Sequence, residues 1–325
     1  MEFDTETFRT VTQFAGLAPS VHNTQPWTFV ATGHTLEVRA DTTRMLSYLD
    51  PTSRQLHISC GLAIEFARLA IRSLGYDAVV RLRRGADPTL LATITIGRPL
   101  PPRGIERRWV EAAPRRYTDR SVYDATPVPG EVLAAARGAA ADRGCWLRVL
   151  DRSGDRVTAA VLLDEAEQIE ASDPRYREEM VAWSRAAAAA DGVPEAATTW
   201  TAPTAVSDVP LRDFTGRGEH PTPGGDGTPP PVCRDTLVLI GSDDDTPVGW
   251  LRTGRALALV LLTLTDAGVV TQPLGPITDV PATRIRLQRQ LGLLGHPQLL
   301  FRAGYGYGRP RAGRRSIDDL LTVTS

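Results

Sequence analysis

The order helix, strand, strand occurs twice in this sequence, once in each half. Apolar residues at three- and four-residue spacing predict a helix over 59–74 and a second helix over 250–265, each ended by a glycine. Two strand patterns follow each helix, at 78–82 and 90–96 in the first half and at 269–270 and 298–303 in the second. The repeat predicts two similar α/β halves that bury their helical faces against each other. A chance similarity of two amphipathic units is the alternative.

The chain is long enough to divide into two such halves. Its 325 residues, 42% hydrophobic and 23% charged, are typical of a globular protein with a sizeable core. We expect an α+β fold with a first half over 1–105 and a second half over 106–325. From about 164 to 233 the pattern changes to a helix, an alanine run and a stretch rich in proline and glycine, which predicts an insertion.

A loop with the sequence APSVHNTQPW occupies 18–27, between a predicted helix and a predicted hairpin. Its two prolines restrict φ and end the flanking elements, and Trp27 is interpreted as a core residue that begins a strand. Ser20, Asn23 and Gln25 supply hydroxyl and amide groups for a ligand. His22 is interpreted as lying beside that ligand without a catalytic role, since a lone histidine in a turn is more often structural. A loop that only ends a helix is the alternative.

Two arginine clusters lie far apart in the sequence. The first contains Arg115, Arg116, Thr118 and Arg120, and the second is the pair Arg314 and Arg315. Guanidinium groups match phosphate oxygens bidentately, and a hydroxyl adds a further donor. Each cluster alone is more often a solvated face, but together with the 18–27 loop they predict a phosphate site.

These segments resemble the nitroreductase superfamily, in particular its Acg-like single-chain branch, and the resemblance covers nearly the whole chain. The resemblance implies a nitroreductase-like fold that binds FMN. In that reading the two arginine clusters hold the FMN phosphate, and backbone amides of 271–276 face flavin N5, although Pro276 removes one donor. A tight turn at 271–276 is the alternative. The implied FMN contacts are Pro19, Ser20, His22, Asn23, Gln25, Arg115, Arg116, Thr118, Arg120, Pro273, Leu274, Gly275, Arg314 and Arg315.

The chain carries one set of these motifs. In the second half, the segment equivalent to the 18–27 loop is 140–146, which reads AADRGCW and lacks the motif. The resemblance therefore implies a single-chain pseudo-dimer, a monomer with one composite FMN site. It also implies that the insertion is a lid with Trp183, Arg212 and Phe214 near the substrate. A surface excursion is the alternative for its proline- and glycine-rich part.

Composition and motif spacing exclude several functions. The chain has no lysine, which excludes a lysine Schiff base, and its three cysteines and five histidines lack metal-ligand spacing, so we predict no metal site. A net charge of −1 gives no electrostatic case for nucleic acid or an anionic membrane. The amino terminus does not read as a leader, and the longest apolar run, 256–264, is too short to cross a bilayer. We expect a cytoplasmic protein.

The predicted function is that of an FMN-dependent oxidoreductase acting on a small molecule, with NADH or NADPH as the electron donor. The flavin carries the chemistry, so no catalytic side chain is predicted. The alternative is a protein that binds and sequesters FMN with little or no turnover.

Overall fold

A computed structural model describes residues 3–82, 85, 87–185, 189–194, 206–207, 232–233, 235–306, 308 and 312–324. The helices are α1 (Thr5–Ala15), α2 (Arg54–Ser73), α3 (Gly104–Ala112), α4 (Gly130–Ala141), α5 (Ser153–Ser172), α6 (Pro174–Ala182), α7 (Pro247–Asp266), α8 (Pro276–Asp279), α9 (Pro281–Gln290) and α10 (Ile317–Leu320). The strands are β1 (Trp27–Thr32), β2 (Thr35–Ala40), β3 (Tyr76–Leu82), β4 (Leu90–Pro99), β5 (Cys145–Val149), β6 (Ser184–Arg185), β7 (Val193–Pro194), β8 (Val206–Ser207), β9 (Val232–Cys233), β10 (Thr236–Ser242), β11 (Val270–Pro273), β12 (His296–Gly304) and β13 (Leu321–Thr324).

Two sheets with matching strand order confirm the predicted pair of similar halves. The first sheet runs β13-β1-β2-β4-β3, and the second runs β11-β12-β10-β5. Within each sheet the strands β1 to β4, or their counterparts β5, β10, β11 and β12, pair antiparallel. Helix α2 connects β2 to β3, and α7 connects β10 to β11 in the same place. The duplication thus extends over more elements than the helix and two strands that the sequence pattern showed.

The carboxyl terminus of the chain returns to the first half. Strand β13 pairs in parallel with β1, with Phe29 opposite Leu321. The alternation of β1 explains its position, because Trp27, Phe29 and Ala31 are fully buried while the residues between them are not. The last residues therefore complete the first sheet, and the segment that leads into β13 passes the 18–27 loop.

Helices α2 and α7 cross at the centre of the molecule. A Cβ atom at Gly61 would lie 2.3 Å from the carbonyl oxygen of Leu251, and one at Gly254 would lie 2.0 Å from that of Ile58. Both positions therefore require glycine, and the two backbones touch where they cross. Within the described residues α7 is long and apolar enough to cross a membrane by length and composition, but 67% of that stretch is buried inside the protein.

A buried charge cluster joins the halves on one side of this crossing. Glu65 of α2, which is fully buried, accepts hydrogen bonds from Arg68 at 2.6 Å, from Arg143 at 2.6 Å and from Arg255 of α7 at 2.9 Å. Burial by itself raises the pKa of Glu65, but the three guanidinium groups outweigh it and hold that pKa well below its usual range. The carboxylate is therefore ionised and links three segments of the chain.

An insertion separates β5 from β10, whereas two residues join the equivalent strands β1 and β2. Helix α5 packs on α8 and α9 through Leu162 and Leu163, and α6 places Tyr176 against Leu46 and Leu49 of the first half. The predicted start of the insertion near 164 falls inside α5, since a continuous helix gives no sequence signal at that point. Arg212, Phe214 and the proline- and glycine-rich part lie outside the described residues, and the division at residue 105 stays a prediction.

The predicted boundaries of α2 need one correction. The helix begins at Arg54, five residues before the apolar pattern places its start at 59. Its first turn is polar yet buried, because Asp50 accepts the backbone N–H of Leu56 at 2.8 Å and Arg54 has buried partners of its own. A polar first turn carries no apolar pattern, so hydrophobic periodicity in the sequence does not detect it.

Candidate functional site

A cavity of about 260 Å³ lies between the two halves, on the opposite side of the helix crossing from Glu65. Gln55, Ile58 and Ser59 of α2 form one wall, and Leu257 and Leu261 of α7 form another. Most residues of the predicted site meet here. Those that line the cavity are Pro19, Ser20, His22, Asn23, Arg116, Thr118, Arg120, Pro273, Leu274, Gly275 and Arg314.

The loop at 18–27 is held in an unusual backbone conformation. His22, Asn23 and Gln25 all have positive φ, at 46°, 54° and 48°. Non-glycine residues in this region cost free energy and persist only where the surroundings fix them. Here Ser20 Oγ accepts the backbone N–H of Gln25 at 2.8 Å, and Ser59 Oγ accepts that of Val21 at 3.2 Å. The strained turn directs the loop into the cavity wall.

Arg314 reaches the cavity from the segment before β13. Its guanidinium donates to Asn23 Oδ1 at 3.2 Å, to the Leu17 carbonyl at 3.2 Å and to the Gly313 carbonyl at 2.9 Å. Burial lowers the pKa of Arg314 to about 10, and no carboxylate in the described part of the chain pairs with it. A half-buried positive charge therefore faces the cavity beside the 18–27 loop.

Several predicted site residues lie outside the cavity. Arg315 pairs with Asp41 at 3.2 Å and donates to the Gln25 carbonyl at 3.0 Å, and the fully buried Gln25 accepts the Arg315 backbone N–H at 2.9 Å. Both residues fix the 18–27 loop from behind. Arg115 is exposed and lies 3.7 Å from Asp266, away from the cavity.

The first arginine cluster approaches the cavity along β11. Thr118 forms a β-bridge with Thr271, and the Asp119 N–H donates to the Thr271 carbonyl at 3.1 Å. Arg116, which is buried, and Arg120 line the cavity on this side. Positive groups of both clusters, Arg116, Arg120 and Arg314, therefore line one cavity, and their role as a phosphate site stays a prediction.

The turn after β11 presents one backbone donor. Leu274 donates its N–H to the Leu300 carbonyl at 2.8 Å, and Thr278 donates its own to the Gly275 carbonyl at 2.8 Å. The Gly275 N–H donates to no group among the described residues, although Gly275 lines the cavity. An unused amide at a cavity wall is a ready donor for a ligand atom.

Gln55 and Asp279 are polar residues of the cavity that sequence reasoning did not predict. Gln55 Nε2 donates to Asp279 Oδ1 at 2.6 Å, and Arg54 donates to the same oxygen at 2.6 Å. Gln55 was missed because the predicted start of α2 left it in a loop. Asp279 follows the 271–276 turn in the sequence and carried no recognisable motif.

Residues 189–194, here named the strap, pass over the 18–27 loop. Asn23 Nδ2 donates to the Gly192 carbonyl at 3.2 Å, and Asp191 pairs with Arg44 and, at 3.0 Å, with Arg185. Gly192, Val193 and Pro194 line the cavity. Trp183 does not: its ring lies between Arg44 and Arg185, whose guanidinium carbons are 5.3 Å and 5.4 Å from the ring centroid.

Comparison with known proteins gives the following relatives. No protein-family model matches the chain. A Mycobacterium tuberculosis protein named "Putative NAD(P)H nitroreductase Rv3131" is 35% identical over 93% of this chain and 86% of its own length. Another from that organism, named "Putative NAD(P)H nitroreductase acg", is 28% identical over 98% of this chain and 96% of its own.

Solved structures of nitroreductases with bound FMN also align with the chain. One from Bacteroides fragilis has 16% identity and a TM-score of 0.35, and covers 61% of this chain and 88% of its own. One from Desulfitobacterium hafniense has 13% identity and a TM-score of 0.42, and covers 67% of this chain and 98% of its own. The sequence relatives confirm the resemblance that the motifs indicated. At 35% identity over most of both lengths, the chain belongs to the NAD(P)H nitroreductase family.

Proposed function

We propose that the chain binds FMN in the cavity and transfers hydride between NADH or NADPH and a small organic molecule. Membership of the NAD(P)H nitroreductase family supports the reaction class. FMN binding is supported above all by Arg314. Its guanidinium lines the cavity and pairs with no carboxylate in the described part of the chain. A half-buried positive charge without a counter-charge is costly, and a phosphate would reduce that cost.

The cavity residues fit the parts of FMN. Arg116, Arg120 and Arg314, with the Thr118 hydroxyl, would hold the phosphate. The unused Gly275 N–H would donate to the ring, and FMN when bound supplies the hydride chemistry. Apolar walls exclude water from the ring, which strengthens each hydrogen bond made there. These walls include Leu62, Leu257, Leu261 and Phe301.

The phosphate site is tested by Arg314→Gln, with FMN affinity measured by fluorescence quenching. Loss of a charged hydrogen bond to phosphate raises the Kd for FMN by about 10- to 100-fold. Arg108→Gln is the matched control, because Arg108 is 64% exposed and pairs with Asp266 outside the cavity. An unchanged Kd in Arg314→Gln contradicts the assignment of the phosphate site.

The oxidoreductase activity is tested by anaerobic reduction of the reconstituted protein. We expect NADH or NADPH to bleach the flavin absorbance band rapidly, and a small nitro or quinone compound to restore it. Bleaching by dithionite but by neither nicotinamide contradicts turnover with these donors.

A second candidate function is FMN sequestration, and the strap favours it. Three of its residues line the cavity, and Asp191 fixes it to Arg44. Burial by itself raises the pKa of Asp191, but hydrogen bonds from Arg44 and Arg185 hold it below its usual range. Under sequestration, Asp191→Asn loosens the strap and accelerates both FMN release and reduction by NADPH. The exposed Asp142→Asn is the control, and equal rates in all three proteins exclude gating by the strap.

A further inference from the structure

The cavity wall formed by Gln55 and Asp279 is polar, buried and rigid. Gln55 is 6% exposed, and the Asp279 side chain is 5% exposed. Arg54, which donates to Asp279, is itself fixed by the Gln298 carbonyl at 2.6 Å and the Thr278 carbonyl at 2.7 Å. The charge pair of Arg54 and Asp279 therefore forms a fixed support behind the Gln55 amide.

This support determines which end of the Gln55 amide a ligand meets. The Asp279 carboxylate accepts a hydrogen bond from Gln55 Nε2, and the reversed amide would place Oε1 against that carboxylate. Like partial charges at 2.6 Å exclude the reversed orientation. Gln55 Oε1 accepts no hydrogen bond from any residue that the structure describes, so the amide offers an acceptor at the cavity wall.

The position of this acceptor beside the Gly275 turn identifies its partner. Thr118 forms a β-bridge with Thr271 of β11, and strand rise places Leu274, which follows the end of β11 at Pro273, about 10 Å from Thr271. Asp279 lies against the Gly275 turn, since its Oδ2 is 2.8 Å from where a Gly275 Cβ would be, and Asp279 in turn accepts the hydrogen bond from Gln55. Since the proposed function places the flavin ring at the Gly275 N–H, Gln55 lies beside that ring.

Resting on the proposed function, we infer that Gln55 accepts a hydrogen bond from the imide N3–H of the flavin ring, with Asp279 as its positioning residue. The pyrimidine edge of the ring carries this N–H, whereas the opposite edge carries methyl groups. A buried amide acceptor against methyl groups would lose a hydrogen bond without compensation. The match of polarity selects the pyrimidine edge.

The experiment reconstitutes the protein with ¹⁵N-labelled FMN and records the ring nitrogens by NMR. In Gln55→Leu we expect the N3 resonance to move and its proton to exchange faster with solvent, while N1 and N5 stay unchanged. The Kd for FMN rises about five- to tenfold, as for loss of one neutral hydrogen bond. Gln55→Met repeats the test if the leucine variant folds poorly, and Gln168→Leu, at an exposed glutamine of α5, is the control.

Asp279→Asn separates positioning from a merely structural role. With a neutral amide behind it, Gln55 adopts both orientations, and the N3 resonance moves part of the way towards its position in Gln55→Leu. An N3 resonance that is unchanged in both variants overturns the inference but leaves FMN binding intact. A higher KM for NADPH with an unchanged N3 resonance also overturns the inference, and assigns Gln55 to the nicotinamide. Failure of the wild type to bind FMN overturns the proposed function itself.

Discussion

At the residue scale, neighbouring arginines with the same sequence signal have different roles. Arg314 and Arg315 formed one predicted phosphate pair, yet Arg314 lines the cavity whereas Arg315 pairs with Asp41 behind the loop. Adjacent side chains point in different directions in extended backbone, and a carboxylate elsewhere in the chain selects one of them. Sequence predicted the residue type at the site, but the choice between neighbours depends on a long-range partner.

Asp50 is a buried carboxyl group, and its ionisation costs free energy in a way that the sequence does not reveal. It is 4% exposed and accepts the Leu56 backbone N–H at the start of α2. Burial raises the pKa of Asp50 to about 6, and the nearby Asp279 adds to the rise, while backbone hydrogen bonds and Arg54 oppose it. A carboxyl group with a pKa raised on folding favours the folded state at low pH. Its stabilising effect is lost as the pH rises from about 4 through 6.

We therefore predict that Asp50→Asn stabilises the protein above pH 7. Asparagine keeps an acceptor for the helix N–H and removes the buried charge, so the free energy of unfolding rises by about 2 kcal/mol at pH 8. Urea unfolding at pH 4.5 and pH 8 measures this, and the difference from wild type shrinks at pH 4.5. A variant that is less stable than wild type at pH 8 contradicts the prediction.

At the element scale, the duplication was predicted because amphipathic periodicity survives in α2, α7 and the strands that follow them. The equivalence of the β1-β2 and β5-β10 pairs was not predicted, since an insertion of two helices separates β5 from β10. The crossing of α2 and α7 depends on two glycines, and a glycine inside a helix pattern reads only as a weak helix former.

We predict that Gly254→Ala is strongly destabilising. Its new Cβ would lie 2.0 Å from the Ile58 carbonyl oxygen and 2.8 Å from the Gly61 Cα, so two core helices must move apart. The expected loss is about 3 kcal/mol or more. Gly138→Ala is the matched control, because Gly138 is exposed on α4 with no atom within 4 Å of its new Cβ.

Alanine at Gly138 raises helix propensity and increases stability by about 1 kcal/mol. Thermal unfolding of both variants measures the contrast between the same substitution at a helix crossing and on a helix surface. Equal stability of the two variants contradicts the close approach of α2 and α7.

At the scale of the whole molecule, the helix crossing relates the cavity to the Glu65 cluster. When α2 and α7 are aligned on their crossing glycines, Gly61 and Gly254, each residue of one helix has an equivalent in the other. Leu62 of α2 is then equivalent to Arg255 of α7, and Leu261 of α7 is equivalent to Arg68 of α2. The two leucines line the cavity, whereas the two arginines bind Glu65. An ion-pair cluster thus occupies the position equivalent to the cavity. The motif comparison predicted a single site from the missing second loop, and these arginines supply a physical reason for it.

We predict that Glu65→Gln destabilises the protein at neutral pH and changes its response to acid. Its folded-state pKa is lowered, so its contribution is present above its unfolded pKa of about 4.5 and is lost as the pH falls below that value. Removing the charge leaves Arg143 and Arg255 without the carboxylate that they pair with, and leaves Arg68 with Glu106 alone, which costs about 3–5 kcal/mol at pH 7. The deficit shrinks by pH 3 in urea unfolding, and the exposed Glu131→Gln is the control. A deficit of equal size at both pH values contradicts the prediction.

The same geometry predicts one FMN per chain. The cavity takes Arg116 and Gly275 from the second half and Asn23 from the first, so one chain supplies every described wall of the site. Arg68, Arg255 and Glu65 form a buried ion-pair cluster at the equivalent position, so we expect no second flavin there. Native mass spectrometry of the reconstituted protein measures the ratio, and we expect a monomer with one FMN. Two FMN per chain contradicts this expectation, and one FMN per two chains shows that the site needs a partner chain.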